Sequence, residues 1–291
     1  MEYGACYTLP SGRRCVWMGT TFIHRGGKET QSRSTRKNRQ TALRMETIKW
    51  HIIKLDEVAS TNTYLNELDN ETEQPEGCVV ITHTQSAGRG QRGNSWEAAP
   101  GKNLTFSYLL RPQGILPQEH LFLSQIVSLA VVDVLSRYIE DVKINWPNDI
   151  YYRDKKIAGI LIEHNLSGME ISRTIVGIGL NINQEKFFSN APNPVSLSQI
   201  TGQTYDLDNI LTEILEATSQ RYTLHLNNRE RLQHDYASAL YRREGYYPYR
   251  DNNGTFNAAI KEVMSDGHLI LSDTQGNERR YAFKEVAFII E

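Results

Sequence analysis

Apolar and polar positions change their period several times along this 291-residue chain, and each change marks an element. Residues 47–54 (Thr-Ile-Lys-Trp-His-Ile-Ile-Lys) read as a first strand. Behind it, Ser60 and Thr61 are natural N-caps, and Tyr64, Leu65 and Leu68 lie on one helical face. Residues 78–83 are β-prone, and residues 103–110 alternate until Arg111-Pro112 stops them. From 118 to 139 the period becomes helical, and Leu121, Phe122, Ile126, Leu129, Val131 and Val134 make the helix apolar over most of its circumference. Such a helix is expected inside the core, against a sheet.

A strand-rich block follows. Residues 142–149 lead through Trp146-Pro-Asn-Asp149 into a strand at 150–152. A turn at 153–155 returns the chain along 156–163, so Lys156 sits at the entry of a hairpin. Residues 173–183 form another strand, in which Gly177 and Gly179 share a face and Asn181 continues it. Missing side chains on one face imply close approach of a ligand or of another backbone. Helices are predicted over 208–226 and 229–243, the latter amphipathic around Leu232, Tyr236 and Leu240. Then come short strands near 245–249, 256–264, 269–271, 280–283 and 286–290. They are separated by Asn-Gly and Asp-Gly turns, as in a small barrel. The domains expected are 47–242 and 243–291, preceded by an irregular segment, 1–46.

Composition narrows the class. The chain is 39% hydrophobic and 23% charged, with net charge −2, which fits a globular protein without global nucleic-acid-binding character. No apolar run reads as a membrane span. Cys6, Cys15 and Cys78 form neither a metal pattern nor an even disulfide set, as expected in a reducing cytoplasm. The charge is uneven: residues 1–44 carry nine Arg or Lys against Glu2 and Glu29. That segment reads as a disordered basic arm, a transit peptide, or a non-native extension ahead of a start at Met45.

The chemistry concentrates at Gln85-Ser-Ala-Gly-Arg-Gly-Gln-Arg-Gly-Asn-Ser-Trp96. Gly88, Gly90 and Gly93 free the backbone to bend around a ligand, and Arg89 and Arg92 supply forked donors for phosphate or carboxylate. The spacing satisfies G-x-G-x-x-G, yet residues 94–102 are poor helix material and no acidic residue stands about 20 positions on. A dinucleotide fold is therefore disfavoured, and a mobile loop closing over an anionic small molecule is the better reading.

Taken together, Ser60-Thr-Asn62, Gln85-x-x-Gly-Arg-Gly-x-x-Gly-x-x-Trp96, Trp146-Pro-Asn-Asp149, Lys156-x-Ala-Gly-Ile-Leu161 and Gly177-Ile-Gly-Leu-Asn181 resemble the biotin–protein ligases, in that family's order. The resemblance covers residues 47–291. It implies an α+β fold: a central mixed β-sheet flanked by helices, class II synthetase-like, followed by an SH3-like barrel. It implies a ligase that converts biotin and ATP to biotinyl-5′-AMP and transfers biotin to a lysine of a biotin carboxyl carrier protein domain. Mg²⁺ is expected with the ATP. By the same resemblance, Ser60, Thr61, Asn62, Gln85, Arg89, Gly90, Gln91, Lys156 and Gly159 bind biotin. Arg89, Arg92, Trp96, Gly179 and Asn181 bind ATP or the adenylate. Lys156 and Arg89 are the catalytic cations, and Asp149 orients the site. No permanent metal site, DNA or membrane partner is implied. A homodimer is left open.

Two departures stand out. Asn145 replaces the lysine that commonly precedes Trp-Pro-Asn-Asp, with Lys143 two residues earlier on the same strand face. Gln91 stands where some members have arginine, and a neutral residue there is expected to hold the adenylate less firmly. Residues 1–46 are too short and irregular for the winged helix of bifunctional members, so the ligase-only type is expected. The alternatives are a lipoate–protein ligase, a binding-only homologue weakened by Asn145, and a DNA-binding regulator.

Overall fold

The computed structural model describes residues 48–188, 193–226 and 228–290. The expectation for residues 1–46 lies outside that range, as do Cys6 and Cys15. Strand β1 (His51–Val58) runs into helix α1 (Thr61–Glu71), and the chain returns in β2 (Cys78–Gln85), parallel to β1 with His51 opposite Cys78. Ser60 caps α1 by accepting from the Thr63 amide. After β3 (Leu104–Leu110) comes α2 (Leu121–Leu135), followed by β4 (Val142–Asn145), β5 (Asp149–Tyr152), β6 (Lys155–Ser167) and β7 (Glu170–Leu180). These strands form one seven-stranded mixed sheet in the order β1-β2-β3-β7-β6-β5-β4. Helices α3 (Leu197–Thr201), α4 (Leu207–Leu226) and α5 (Arg229–Ala239) complete this part. A five-stranded antiparallel sheet closes the chain: β8 (Tyr247–Asp251), β9 (Gly254–Val263), β10 (Leu269–Asp273), β11 (Glu278–Tyr281) and β12 (Ala287–Phe288). The α+β expectation and the small C-terminal barrel-like unit are both borne out.

The sheet separates two cores. Under α1, Leu65 packs with Leu55, Val80, Leu109 and Ile175. On the other side, α2 is buried almost all round and packs with α4, α5 and strands β4 and β5. Pro117–Leu135 is long and apolar enough by composition to cross a membrane, contrary to the expectation that no run reaches that length. In the fold, 78% of its most apolar stretch is buried inside the protein, which accounts for the composition without a bilayer. The predicted helix 118–139 is shorter than expected. Pro117–Glu119 forms only a 3-10 turn, and Ser136 and Arg137 are exposed, so the burial that sustains the helix stops at Leu135. Helix α3, five residues held by a reciprocal Ser196–Gln199 cap, is too short for any periodicity to reveal.

One buried ion network ties α1 to the sheet. Asp69 receives Arg173 of β7 at 2.6 Å and Arg111, just past β3, at 2.7 Å. Arg173 also donates to Asn66 and Asn70 of α1. With Asp69 and Arg173 both buried, removing one partner strands the other's charge.

The face of the sheet under α1's first turn carries mostly small residues, Leu161 excepted, in two cross-strand rows. Ser107, Gly177 and Leu161 stand in register in β3, β7 and β6; so do Thr105, Gly179 and Gly159. A Cβ on Gly179 would come 2.2 Å from the Trp96 ring, and one on Gly177 would come 2.1 Å from Asn62 Oδ1. The close approach expected at these glycines is real, but the space is taken by two side chains of the protein itself. The indole and the amide rest directly on the strand backbone.

Two outcomes test this account. Asp69→Ala should lower stability by about 3–5 kcal/mol in urea denaturation, the cost of stranding a buried charge; a loss below about 1 kcal/mol would show that α1 does not depend on the network. Gly179→Ala should push the indole off the sheet, seen as a red-shifted tryptophan emission, and cost about 1–3 kcal/mol.

Candidate functional site

A cavity of about 470 Å³ opens on this small-residue face, a size suited to a small molecule. Its polar end is built by the start of α1. The Thr61 amide donates to Gln85 Oε1 at 2.9 Å, joining α1 to the end of β2. Ser107 Oγ lies 2.7 Å from Thr61 Oγ1 and 2.5 Å from Asn62 Oδ1. Asn62 Nδ2 donates to Glu163 Oε2 at 2.8 Å. Ser60, Thr61 and Asn62 are nearly inaccessible to solvent, so their polar atoms are fixed by these partners.

The glycine-rich segment lies along the opening as a loop, not a helix start. Gly88 O accepts from Trp96 N, and Gly90 N donates to Asn94 O, so the loop folds back on itself. Arg89 Nη2 donates to Glu163 Oε2 at 2.9 Å. Gln91 Nε2 donates to Asn148 Oδ1 at 2.8 Å and to Ile160 O at 3.2 Å, docking the loop on the Trp146–Asp149 turn and on β6. From the C-terminal sheet, Lys284 Nζ donates to Gln91 O at 3.3 Å. The side chain of Arg92 lies outside the described set.

Lys156 reaches the cavity because β6 is irregular beside β5. Ala158 pairs with Ile150, yet Lys156, two residues back, pairs with Tyr151. The extra residue is a bulge, and it switches the side-chain alternation. Without it, strand parity would put Lys156 on the face opposite Gly159. Lys156 Nζ donates to Asp149 Oδ2 at 2.6 Å and lies 5.9 Å from the centroid of the Trp96 ring. The carboxylate therefore holds the cation in place, and the lysine stays partly exposed.

The structure brings together every candidate whose side chain is described. Ser60, Thr61, Asn62 and Gln85 line one part of the cavity. Arg89, Gly90, Gln91 and Trp96 come from the loop, and Lys156, Gly159, Gly179 and Asn181 from the sheet. Asn181 donates from Nδ2 to Val195 O, while its buried Oδ1 and the buried Trp96 Nε1 have no hydrogen-bond partner within the protein. Both residues line the cavity, but these two atoms are themselves enclosed, the indole nitrogen against the Gly179 backbone. Neither Asn145 nor Lys143 is among the lining residues. Asn145 lies beside the Tyr151 hydroxyl, and Lys143 reaches the Ser238 carbonyl at 3.5 Å. Lys143 thus does not stand in for the lysine absent at 145.

Four contributors were not singled out from the sequence. Glu163 is in phase with Gly159 at period two, a signal that could have placed it on this face. Ser107 carries the same parity signal on β3. Phe283 arrives from the turn between β11 and β12, edge-on to Trp146, and nothing local announces it. Asn148 was visible only as part of a motif. Among the described residues, no group of three or more His, Cys, Asp or Glu could hold a metal ion.

Comparison with known proteins agrees with this geometry. Residues 55–181 match the biotin/lipoate A/B protein ligase family model. The bifunctional ligase/repressor BirA of Bacillus spizizenii is 29% identical over 277 residues, spanning 91% of this chain and 81% of its own. The biotin–[acetyl-CoA-carboxylase] ligase of Paracoccus denitrificans is 35% identical over 140 residues, 45% of this chain and 57% of its own. Among solved structures, the biotin protein ligase from Aquifex aeolicus in complex with biotin and ATP superposes with a TM-score of 0.66 at 24% identity, covering 82% of this chain and 99% of that one. On the motifs and these matches, residues 55–181 of the chain form a biotin/lipoate A/B protein ligase family domain.

Proposed function

We infer that this chain is a biotin–protein ligase: it activates biotin with ATP as biotinyl-5′-AMP and transfers the biotinyl group to a lysine of a carrier protein. The observation that carries the reading is one cavity lined both by a hydrogen-bonding cradle, Ser60, Thr61, Asn62 and Gln85, and by two cations, Lys156 and Arg89. The relatives named above include a biotin–[acetyl-CoA-carboxylase] ligase, and one solved relative holds biotin with ATP. The chemistry fits a ligand that carries both neutral polar groups and an anionic one.

In the first step a carboxylate oxygen of biotin attacks the α-phosphorus of ATP, and the bond to the β-phosphate oxygen breaks to release pyrophosphate. Two anions must meet, so positioning and charge screening supply most of the rate. Lys156, pre-set by Asp149, is the proposed cation at the reacting carboxylate and α-phosphate. Arg89 screens from the loop. Trp96 and Asn181, which line the cavity, are the proposed neighbours of the adenylate. In the second step the ε-amine of the carrier lysine attacks the acyl carbon, AMP leaves, and the amine loses a proton. The docked loop keeps water from the mixed anhydride in between. Mg²⁺ bound to ATP would neutralise phosphate charge. The residues fit a metal that arrives on the nucleotide, since Asp149 is already engaged by Lys156 and, among the described residues, no group of three or more His, Cys, Asp or Glu could hold an ion. We also propose that residues 243–291 form a separate small domain, and that the carrier is the biotin carboxyl carrier domain of a biotin-dependent carboxylase.

The deciding experiment is transfer of labelled biotin to a purified biotin carboxyl carrier domain with ATP and Mg²⁺. Transfer is expected; tight biotin binding without transfer would leave a binding-only homologue, and transfer of lipoate instead would overturn the substrate. Lys156→Ala should reduce biotin-dependent pyrophosphate release about 10²–10³-fold, the scale of losing one preorganised charge-stabilising donor. A change under about threefold would remove Lys156 from the chemistry. Gln91→Ala deletes both hydrogen bonds that dock the loop. It should raise the fraction of adenylate escaping to solvent, measured as AMP formed in excess of carrier biotinylated.

A further inference from the structure

Glu163 has no role in the reading above and does not itself line the cavity, yet it accepts hydrogen bonds from two residues that do. Its Oε2 takes Asn62 Nδ2 at 2.8 Å and Arg89 Nη2 at 2.9 Å. One residue sits at the buried start of α1; the other belongs to the glycine-rich loop. The glycines between Gln85 and Trp96 leave the loop backbone little stiffness of its own, so contacts of this kind decide where Arg89 points.

Magnitudes indicate what the contact is for. The Arg89 and Glu163 side chains are 46% and 39% exposed. An ion pair so open to solvent contributes about 0–1 kcal/mol to stability. Its value as a fold-stabilising element is therefore small. Its geometric effect is larger, because the same oxygen also reads the Asn62 amide. Asn62 Oδ1 faces the Ser107 hydroxyl at 2.5 Å, and Nδ2 faces Glu163 Oε2 and the Leu161 carbonyl. Only one sense of the amide satisfies these partners, since the carboxylate and the carbonyl accept and do not donate. A neutral glutamine at 163 could still accept from Asn62, but it would lose the charge that holds a guanidinium.

We propose that Glu163 is a positioning residue of this ligase: its carboxylate clasps Arg89 of the loop to Asn62 of α1, and so presets both groups for the ligand that the loop closes over. The proposal rests on the biotin–protein ligase reading. The clasp registers a mobile cation against a buried polar cluster before the ligand arrives. Binding then needs less ordering of the loop, and that ordering cost falls on the affinity for the ligand beneath it.

The test uses the full chain and steady-state biotinylation of the carrier domain, varying biotin and ATP separately. Glu163→Gln should raise KM for biotin about two- to fivefold, the most that a contact so open to solvent can supply, with the melting temperature close to wild type. Biotin affinity measured by calorimetry should weaken in parallel. Because the carboxylate acts through Arg89, Glu163→Gln should add little in an Arg89→Ala background, a non-additivity that independent sites do not show. Glu163→Asp, which keeps the charge on a shorter stem, should recover part of the loss. Unchanged KM for biotin, or fully additive effects of the two substitutions, would overturn the proposal. Failure of the wild-type chain to biotinylate the carrier would instead defeat the reading on which it rests, so the two failures are distinguishable.

Discussion

The whole site depends on a stretch of sheet that has no side chains to put in the way. Gly179 and Gly159 lie side by side under the Trp96 indole, and Gly177 lies under the Asn62 amide. A methyl group on Gly177 or Gly179 would overlap its neighbour by more than an ångström, because ordinary carbon contacts run at 3.5–4 Å. With the indole seated, the loop that carries it is seated too, through the Trp96 amide and the Gly88 carbonyl. The start of α1 is likewise set down on β3 and β7 by Asn62. The glycines act here through space, allowing two polar-edged side chains to reach the backbone and leaving a hollow beside them.

Around that hollow, each described cation is held by a carboxylate: Lys156 by Asp149 and Arg89 by Glu163. Both pairs are partly open to solvent, so neither carries the heavy desolvation cost of a buried ion pair. They hold charge in a chosen place. The buried pairing, by contrast, is Asp69 with Arg173, at the far end of α1 and away from the cavity. The molecule thus separates two uses of ion pairs along one helix: structural at its end, positional at its start.

Most of the architecture was legible before any coordinates, for reasons that differ by element. Helix α2 announced itself because burial on all sides demands apolar residues on all sides. Strand β3 was read from alternation, β6 from the turn before it, and the five short C-terminal strands from their turns. The motifs at 60–62, 85–96, 146–149 and 156–161 were contiguous, and contiguity is what a linear reading sees. What escaped it was contact across long separations. Glu163 meets Arg89 and Asn62 from 74 and 101 residues away. Phe283 reaches the cavity from the turn between β11 and β12. The bulge that turns Lys156 inward leaves no local mark, because nothing in Lys155-Lys-Ile-Ala-Gly159 distinguishes a strand with one extra residue from one without. Glycines on β7 correctly signalled a close approach, but the partner they admit could not be read from the strand itself.

The parallel pairing of β1 with β2 has a consequence for how such a chain can vary. Both strands deliver their carboxyl ends to the cavity, one into Ser60 and one into the glycine-rich loop. Their amino ends lie a full strand length away, roughly 25 Å at about 3.3 Å per residue. Additions or losses at those amino ends, at His51 or in the 72–77 connection, fall on a side of the molecule that takes no part in the chemistry. One edge of the fold can take up extra segments or lose them while the groups around the cavity keep their spacing.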